Sequence, residues 1–281
     1  MRTSTLAIPG FNIAYKSWGN PELPPMIALH GWLDNANSFD LLAPYLEQRF
    51  HFIAIDLPGH GHSSHLPQGC HYNFYEGIFT VLEVIKALNF KLIHLLGHSM
   101  GACLASLIAG VAPEQILSLV LIEGLGPFSN PETSAREQLA NYADKIAKVR
   151  HKQPKPYSSI EQATLARTQR GYLAEELVAI IAKRGLQEKE QAFYWRHDRK
   201  LLISSPLTMT EGQVLSCLQG INAKCCLIWA SQGFEFNEQL VAKRIEAVKS
   251  LQLFELDGGH HIHMEQPAAL FECLATFYQT L

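Results

Sequence analysis

Short apolar runs, most of them continuous rather than alternating, set the strongest limit on what this chain can fold into. They are Asn12–Trp18, Met26–His30, His51–Asp56, Leu92–Gly97, Leu119–Glu123, Cys225–Ala230 and Leu251–Leu256. A strand that buries both faces needs apolar side chains at successive positions, so these runs predict strands of a mostly parallel sheet. Helical patterns lie between them. Ile78, Val81, Leu82, Ile85 and Leu88 recur at helical spacing, and Met100–Gly110 reads as a small-residue helix ended by glycine. Strand and helix in alternation predict an α/β fold, an eight-stranded sheet with crossover helices on both faces.

The alternation stops after "EGLGPFSNP". From Pro131 to about Ser216 the chain reads as amphipathic helices, Tyr172–Ile181 among them, broken by the loop "HKQPKPYSS"; strand patterning returns at Cys225. Residues 131–200 hold 14 Lys and Arg against 9 Asp and Glu, whereas the remainder holds 9 against 17. An inserted helical unit at 125–216, within a core of 1–124 and 217–281, accounts for both changes. Its positive excess fits a solvated helix face better than an anion-binding surface.

The rest of the composition narrows the class. The chain has 281 residues, 47% hydrophobic and 17% charged, enough to bury a large core. A net charge of −3 gives no reason to expect nucleic acid as a partner. Six cysteines are scattered, and Cys225 and Cys226 are adjacent within an apolar run, so a disulfide framework is not expected and a cytoplasmic setting is. No run of about 18 apolar residues is present to span a bilayer. A small-molecule substrate, no stable membrane insertion and a monomer or homodimer are the expectations for partners.

The chemistry centres on "HLLGHSMGAC", residues 94–103. Gly97-His98-Ser99-Met100-Gly101 falls between an apolar run and a small-residue helix, the strand–turn–helix setting in which a G-x-S-x-G serine becomes a nucleophile. A serine hydroxyl needs a base, itself oriented by a third group. "ELDGGHHIHMEQP" supplies late histidines after the last strand run. His60, His62 and His65 of "GHGHSSH" have no carboxylate or thiolate partner in the local pattern and are read as part of a turn, not as metal ligands.

Four stretches together resemble the α/β-hydrolase-fold superfamily, in particular its serine hydrolases with a helical cap. "ALHGWLDN" is similar to its H-G loop, "DLPGHGHSS" to its D-x-P-G-x-G-x-S turn, "GHSMG" to its nucleophile elbow and "GGHHIHMEQP" to its G-H-x-x-x-x-E-x-P ending. Counting back from Glu265 and Pro267, the resemblance implies His260 as the base, with His261 and His263 as partly buried loop histidines. It also implies the backbone N–H groups of Trp32 and Met100 as the oxyanion hole, and no metal or organic cofactor. His98, Leu125 and Phe128 are expected to line the substrate site.

The sequence departs from the family pattern at the acid. Where relatives carry W-G-x-x-D after the penultimate strand, this chain reads "IWASQGFEF", with Gly233 in place of the aspartate. Glu123 and Glu235 are the replacements, with Asp257 a further one. Adjacent parallel strands lie about 4.8 Å apart, so a carboxylate ending the strand beside that of Ser99 can reach the histidine, which favours Glu123. The expected activity is a metal-independent carboxylesterase on small to medium esters, working through Ser99, His260, Glu123 and an acyl-enzyme. A carbon–carbon bond hydrolase of the same fold, or a non-catalytic binding protein that has kept it, is the alternative.

Overall fold

The computed structural model describes residues 1–151, 153–171 and 173–280, with the backbone alone at 150 and 151. Its strands are β1 (Arg2–Ile8), β2 (Phe11–Trp18), β3 (Pro25–Leu29), β4 (His51–Ile55), β5 (Ile93–His98), β6 (Ile116–Ile122), β7 (Leu186–Lys189), β8 (Ala192–Trp195), β9 (Lys224–Gln232) and β10 (Leu251–Gly259). The helices are α1 (Ala43–Leu46), α2 (Glu76–Ala87), α3 (Met100–Val111), α4 (Ala135–His151), α5 (Ile160–Thr168), α6 (Glu175–Gly185), α7 (Glu211–Gln219), α8 (Glu238–Ala247), α9 (Ile262–Glu265) and α10 (Pro267–Tyr278).

Eight strands form one sheet in the order β1-β2-β4-β3-β5-β6-β9-β10, in which β2 runs antiparallel to both its neighbours and the other pairings are parallel. Successive side chains of the central strands feed two separate cores. Ile27, Leu29, Ile53, Leu95 and Leu121 pack with residues of α2, α3 and α7, whereas Met26, Ala28, Phe52, Leu96 and Ile228 pack with α1 and α10. Burial on both faces is why these strands read as unbroken apolar runs. The edge strand β1 is exposed over Arg2–Thr5, so its sequence RTSTLAI carries no such run and the sequence reading missed it.

Between β6 and β9 the chain leaves the sheet for α4, α5, α6 and the β7–β8 hairpin before returning through α7. The hairpin corrects the all-helical expectation for this segment. Its turn places Glu190 and Gln191 at φ of 52° and 62°, left-handed positions usually taken by Asn or Gly, so no turn signal was present to read. Phe193 and Trp195 pack there on Tyr157, Ala163, Ala182 and Leu186. The helix expected over Tyr172–Ile181 runs from Glu175 to Gly185, and Tyr172 lies outside the described residues, as does Lys152 of the loop before α5.

Polar contacts fasten this segment to loops at the carboxyl ends of β3 and β4. Arg184 of α6 lies 3.0 and 2.8 Å through Nε from the two carboxylate oxygens of buried Asp56. Asn35 and Asn37 donate to the α6 carbonyls of Ile181 and Ile180. Asp56 also accepts from the backbone N–H groups of Ala36 and His62. The "DLPGHGHSS" histidines therefore belong to a turn organised by a carboxylate. His60 is buried edge-on to His30, and His65 contacts the Arg196 carbonyl.

Helix α3 crosses α7 through two glycines. A Cβ at Gly110 would stand 1.9 Å from the Cys217 carbonyl oxygen, and one at Gly220 would stand 2.4 Å from the Gly110 carbonyl oxygen. Gly110→Ala is expected to force the helices apart and lower stability by about 1–3 kcal/mol, measured as a drop in the urea unfolding midpoint.

Candidate active site

Ser99 occupies the turn from β5 into α3 with φ 52° and ψ −117°, a conformation that costs an L-residue energy. The turn exists because its flanks lack side chains. A Cβ at Gly97 would fall 2.3 Å from the Gly101 carbonyl oxygen, and one at Gly101 would fall 2.1 Å from that of Leu29. The Ser99 N–H donates to the Ile122 carbonyl of β6 at 2.8 Å, which ties the elbow to the neighbouring strand.

His260 follows β10. Glu265 accepts from the Gly259 N–H at 2.6 Å, and Gln266 donates to the Asp257 carbonyl, so the "E-Q-P" end of the motif holds the loop that carries the ring. Its Nε2 lies 2.8 Å from Ser99 Oγ and its Nδ1 lies 2.9 Å from Glu123 Oε2. The imidazole therefore bridges a hydroxyl and a carboxylate.

Glu123 comes directly after β6 and is itself left-handed at φ 56°. Its side chain is 1% exposed. Oε1 accepts from the Ala230 N–H at 2.7 Å, and Oε2 from the Phe234 N–H at 3.1 Å as well as facing His260. Gly233 lies against the same carboxylate: a Cβ there would stand 2.2 Å from Oε2. The missing aspartate and the extra glutamate are thus one feature, since the Glu123 carboxylate fills the space a side chain at 233 would occupy. Glu235 is exposed, and exposed Asp257 takes hydrogen bonds from Ser231 and Gln232.

The other site expectations divide. Phe128 is 71% exposed, its ring centroid 5.9 Å from that of Phe234, which in turn lies 6.1 Å from the His260 ring. Leu125 is instead a core residue, packed with the sheet and α3, and Arg244 donates to its carbonyl. His98 is also corrected: it is completely buried, and its Nε2 lies 2.8 Å from the His260 carbonyl oxygen, so it supports the His260 backbone rather than lining a pocket. Met100 opens α3, where first-turn N–H groups lack intrahelical acceptors. Trp32 follows an H-G loop pinned by His30, which contacts the Gly31 carbonyl through Nδ1 and accepts from the Leu57 N–H at Nε2. The Trp32 indole donates to the Leu201 carbonyl of the inserted segment.

Asp34 was missed by the sequence reading. It is buried, ion-paired with Arg167 of α5 at 2.5 Å, and 3.2 Å from His261 Nε2. Burial opposes ionisation, but His261, then Arg167, hold its carboxyl well below the usual range. Its one sequence signal was its place in "HGWLDN".

The chain belongs to the α/β-hydrolase fold family, whose sequence profile matches residues 24–267. Within that fold, several of its relatives are serine hydrolase-like proteins. One from Dictyostelium discoideum is 33% identical, over 95% of this chain and 79% of its own length. Serine hydrolase-like protein 2 of Homo sapiens is 29% identical, over 98% and 93%. Among solved structures, a hypothetical protein of Pseudomonas aeruginosa PAO1 superposes with a TM-score of 0.93 at 34% identity, over 99% of this chain and 100% of that one. The thioesterase domain of the curacin biosynthetic pathway superposes with a TM-score of 0.85 at 28% identity, over 98% and 99%.

Two outcomes follow from this geometry. Gly233→Ala drives the Glu123 carboxylate from its seat and is expected to slow fluorophosphonate labelling of Ser99 about 10²-fold, the scale of an ångström-sized misplacement. Burial holds His30, His60, His98 and His263 below the ordinary histidine range. Stability is therefore fully present above about pH 6.5. It falls as pH drops from there, because only the unfolded chain takes up those protons. Each such histidine contributes a slope of up to about 1.4 kcal/mol per pH unit, and urea midpoints at neutral and mildly acidic pH measure the sum.

Proposed function

We propose that this hydrolase cleaves carboxylic acyl bonds, those of small to medium esters and thioesters, through a covalent acyl-enzyme on Ser99. The observation that carries the reading is the unbroken line from Ser99 Oγ through His260 to Glu123 Oε2, at 2.8 and 2.9 Å. His260 Nε2 takes the Ser99 proton as Oγ attacks the carbonyl carbon. Glu123 fixes the ring with its other proton on Nδ1 and stabilises the imidazolium that results. The N–H groups of Trp32 and Met100 receive the developing oxyanion, the second at the start of α3 where the helix dipole adds to it. The imidazolium protonates the leaving alcohol or thiol, and water then attacks the acyl-enzyme by the same steps. The thioester arm is supported by the 28% identical curacin thioesterase domain.

Supporting the substrate side, Phe128 and Phe234 form an exposed aromatic edge within reach of His260, suited to the apolar part of an acyl chain. The segment at 125–216 serves as a cap, held against the loops after β3 and β4. A reducing cytoplasmic setting fits six free cysteines. Among the described residues no helix is long and apolar enough to cross a membrane.

Ser99→Ala is expected to abolish both fluorophosphonate labelling and hydrolysis of p-nitrophenyl esters. Glu123→Gln should lower turnover by about 10³ to 10⁴, the cost of losing the orienting carboxylate, while Glu235→Gln leaves it near wild type. Absence of labelling in the wild-type protein would overturn the reading in favour of a binding protein.

A further inference from the structure

Next to the Ser99–His260–Glu123 line stands a second group of side chains that hydrolysis does not use. Asp34 Oδ2 lies 3.2 Å from His261 Nε2 and 3.9 Å from His98 Nδ1, and one ligand atom from each of the three residues lies within 4.8 Å of the others. The His98 ring has a fixed tautomer. Its Nε2 faces the His260 carbonyl oxygen and so carries the proton, which leaves Nδ1 as a bare lone pair.

That lone pair is buried, has no hydrogen-bond partner among the described residues and lies 3.9 Å from Asp34 Oδ2. An acceptor buried without a donor is unfavourable, and a cation seated between His98 Nδ1, Asp34 Oδ2 and His261 Nε2 gives that lone pair a partner. The backbone leaves room there: a Cβ on Gly31 would lie 2.9 Å from His98 Nδ1 and 3.0 Å from Asp34 Oδ2, and Gly31 has none.

We propose that Asp34 Oδ2, His98 Nδ1 and His261 Nε2 form a binding site for a divalent transition-metal ion, zinc above all, and that its occupation inhibits hydrolysis at Ser99. Two imidazoles and a carboxylate suit zinc, cobalt or nickel, whereas magnesium and calcium require oxygen donors. Tetrahedral zinc with bonds of about 2.0–2.2 Å places its ligand atoms about 3.3–3.6 Å apart. The three groups need to draw in by about 1.5 Å at most. His261 binds with its proton on Nδ1. Its side chain, 13% exposed, gives the ion a way in and a water a place as fourth ligand. Oδ2 of Asp34 faces His261 Nε2, a contact that the metal replaces, and Arg167 holds Oδ1. Its charge weakens the site relative to a structural zinc centre, which suits reversible inhibition.

The inhibitory part rests on the proposed function. The His98 and His260 ring centroids are 5.0 Å apart, and His98 links the metal position to the His260 backbone. Acyl transfer passes through a His260 imidazolium, and a dication on the adjacent ring opposes that charge.

The test uses untagged, chelator-treated protein titrated with Co2+ and read by its visible absorption. The wild type is expected to develop an intense tetrahedral cobalt spectrum at one equivalent, which zinc abolishes. In His261→Gln the apparent affinity falls by at least about tenfold, and in His65→Gln it does not change. No tetrahedral spectrum in the wild type, or an unaltered one in His261→Gln, overturns the site. Asp34 is buried on Arg167 and its replacement threatens folding, so the wild-type spectrum and the His261 variant carry the test. In the activity arm, zinc slows p-nitrophenyl ester hydrolysis by the wild type reversibly with EDTA and has no effect on the rate of His261→Gln. Cobalt bound without loss of hydrolysis removes the inhibitory claim and keeps the site. Failure of the wild type to react with fluorophosphonate removes the serine hydrolase reading whatever the cobalt spectrum shows.

Discussion

The Glu123 carboxylate is the point on which the site is built. It is buried, accepts two backbone N–H groups from β9 and the loop after it, and orients the imidazole that meets Ser99. A buried carboxylate is tolerated only when its lone pairs are met, and here the partners come from two parts of the chain, the stretch from Ala230 to Phe234 and the loop of His260. Residue 233 has to be glycine for this to happen, since any Cβ there would overlap Oε2. Because β5, β6 and β9 are neighbours in register, Ser99, Glu123 and Phe234 all emerge at one end of the sheet. The sheet sets the spacing, and the Glu123 side chain then spans it.

A second set of constraints joins the inserted segment to that end. Arg184 on Asp56, Arg167 on Asp34 and Trp32 on Leu201 link α6, α5 and the chain after β8 to the loops that follow β3 and β4. Arg244 of α8 binds the Leu125, Gly126 and Pro127 carbonyls together with Glu211, which fixes the stem where the segment departs. Removing one partner of a buried pair such as Arg184 and Asp56 costs about 3–5 kcal/mol, so these contacts fasten the segment to the loops after β3 and β4. The positive excess seen in the sequence is partly spent here, on acidic side chains of the core rather than on solvent.

The histidines show how residue type alone misleads. Of those near the site, His260 meets the serine, His30 pins the H-G loop, His98 supports the His260 backbone and His263 is packed against Phe39 and His98. Burial pushes His30, His98 and His263 toward the neutral form, and among the described residues it also leaves ring nitrogens of His98, His261 and His263 without partners. Which imidazole does chemistry depends on what its two nitrogens face, a property that appears only once the loops are folded.

The strands buried on both faces, the G-x-S-x-G turn, the late histidine and the vacancy at Gly233 were all legible in the sequence, because each follows from side-chain volume or polarity within a few residues of itself. Edge strand β1 and the Glu190–Gln191 hairpin were not, since one buries little on its outer face and the other lacks the glycine or asparagine its turn conformation favours. Glu123 was legible as a candidate because it ends a strand beside that of Ser99, and it was the packing of β6 against β9 that set its carboxylate on the Ala230 and Phe234 amides. Asp34, Arg167 and the inward-facing lone pair of His98 belong wholly to the tertiary structure. They come from the loop after β3, from α5 and from β5, far apart along the chain, and their chemistry arises from the water excluded when those parts close on one another.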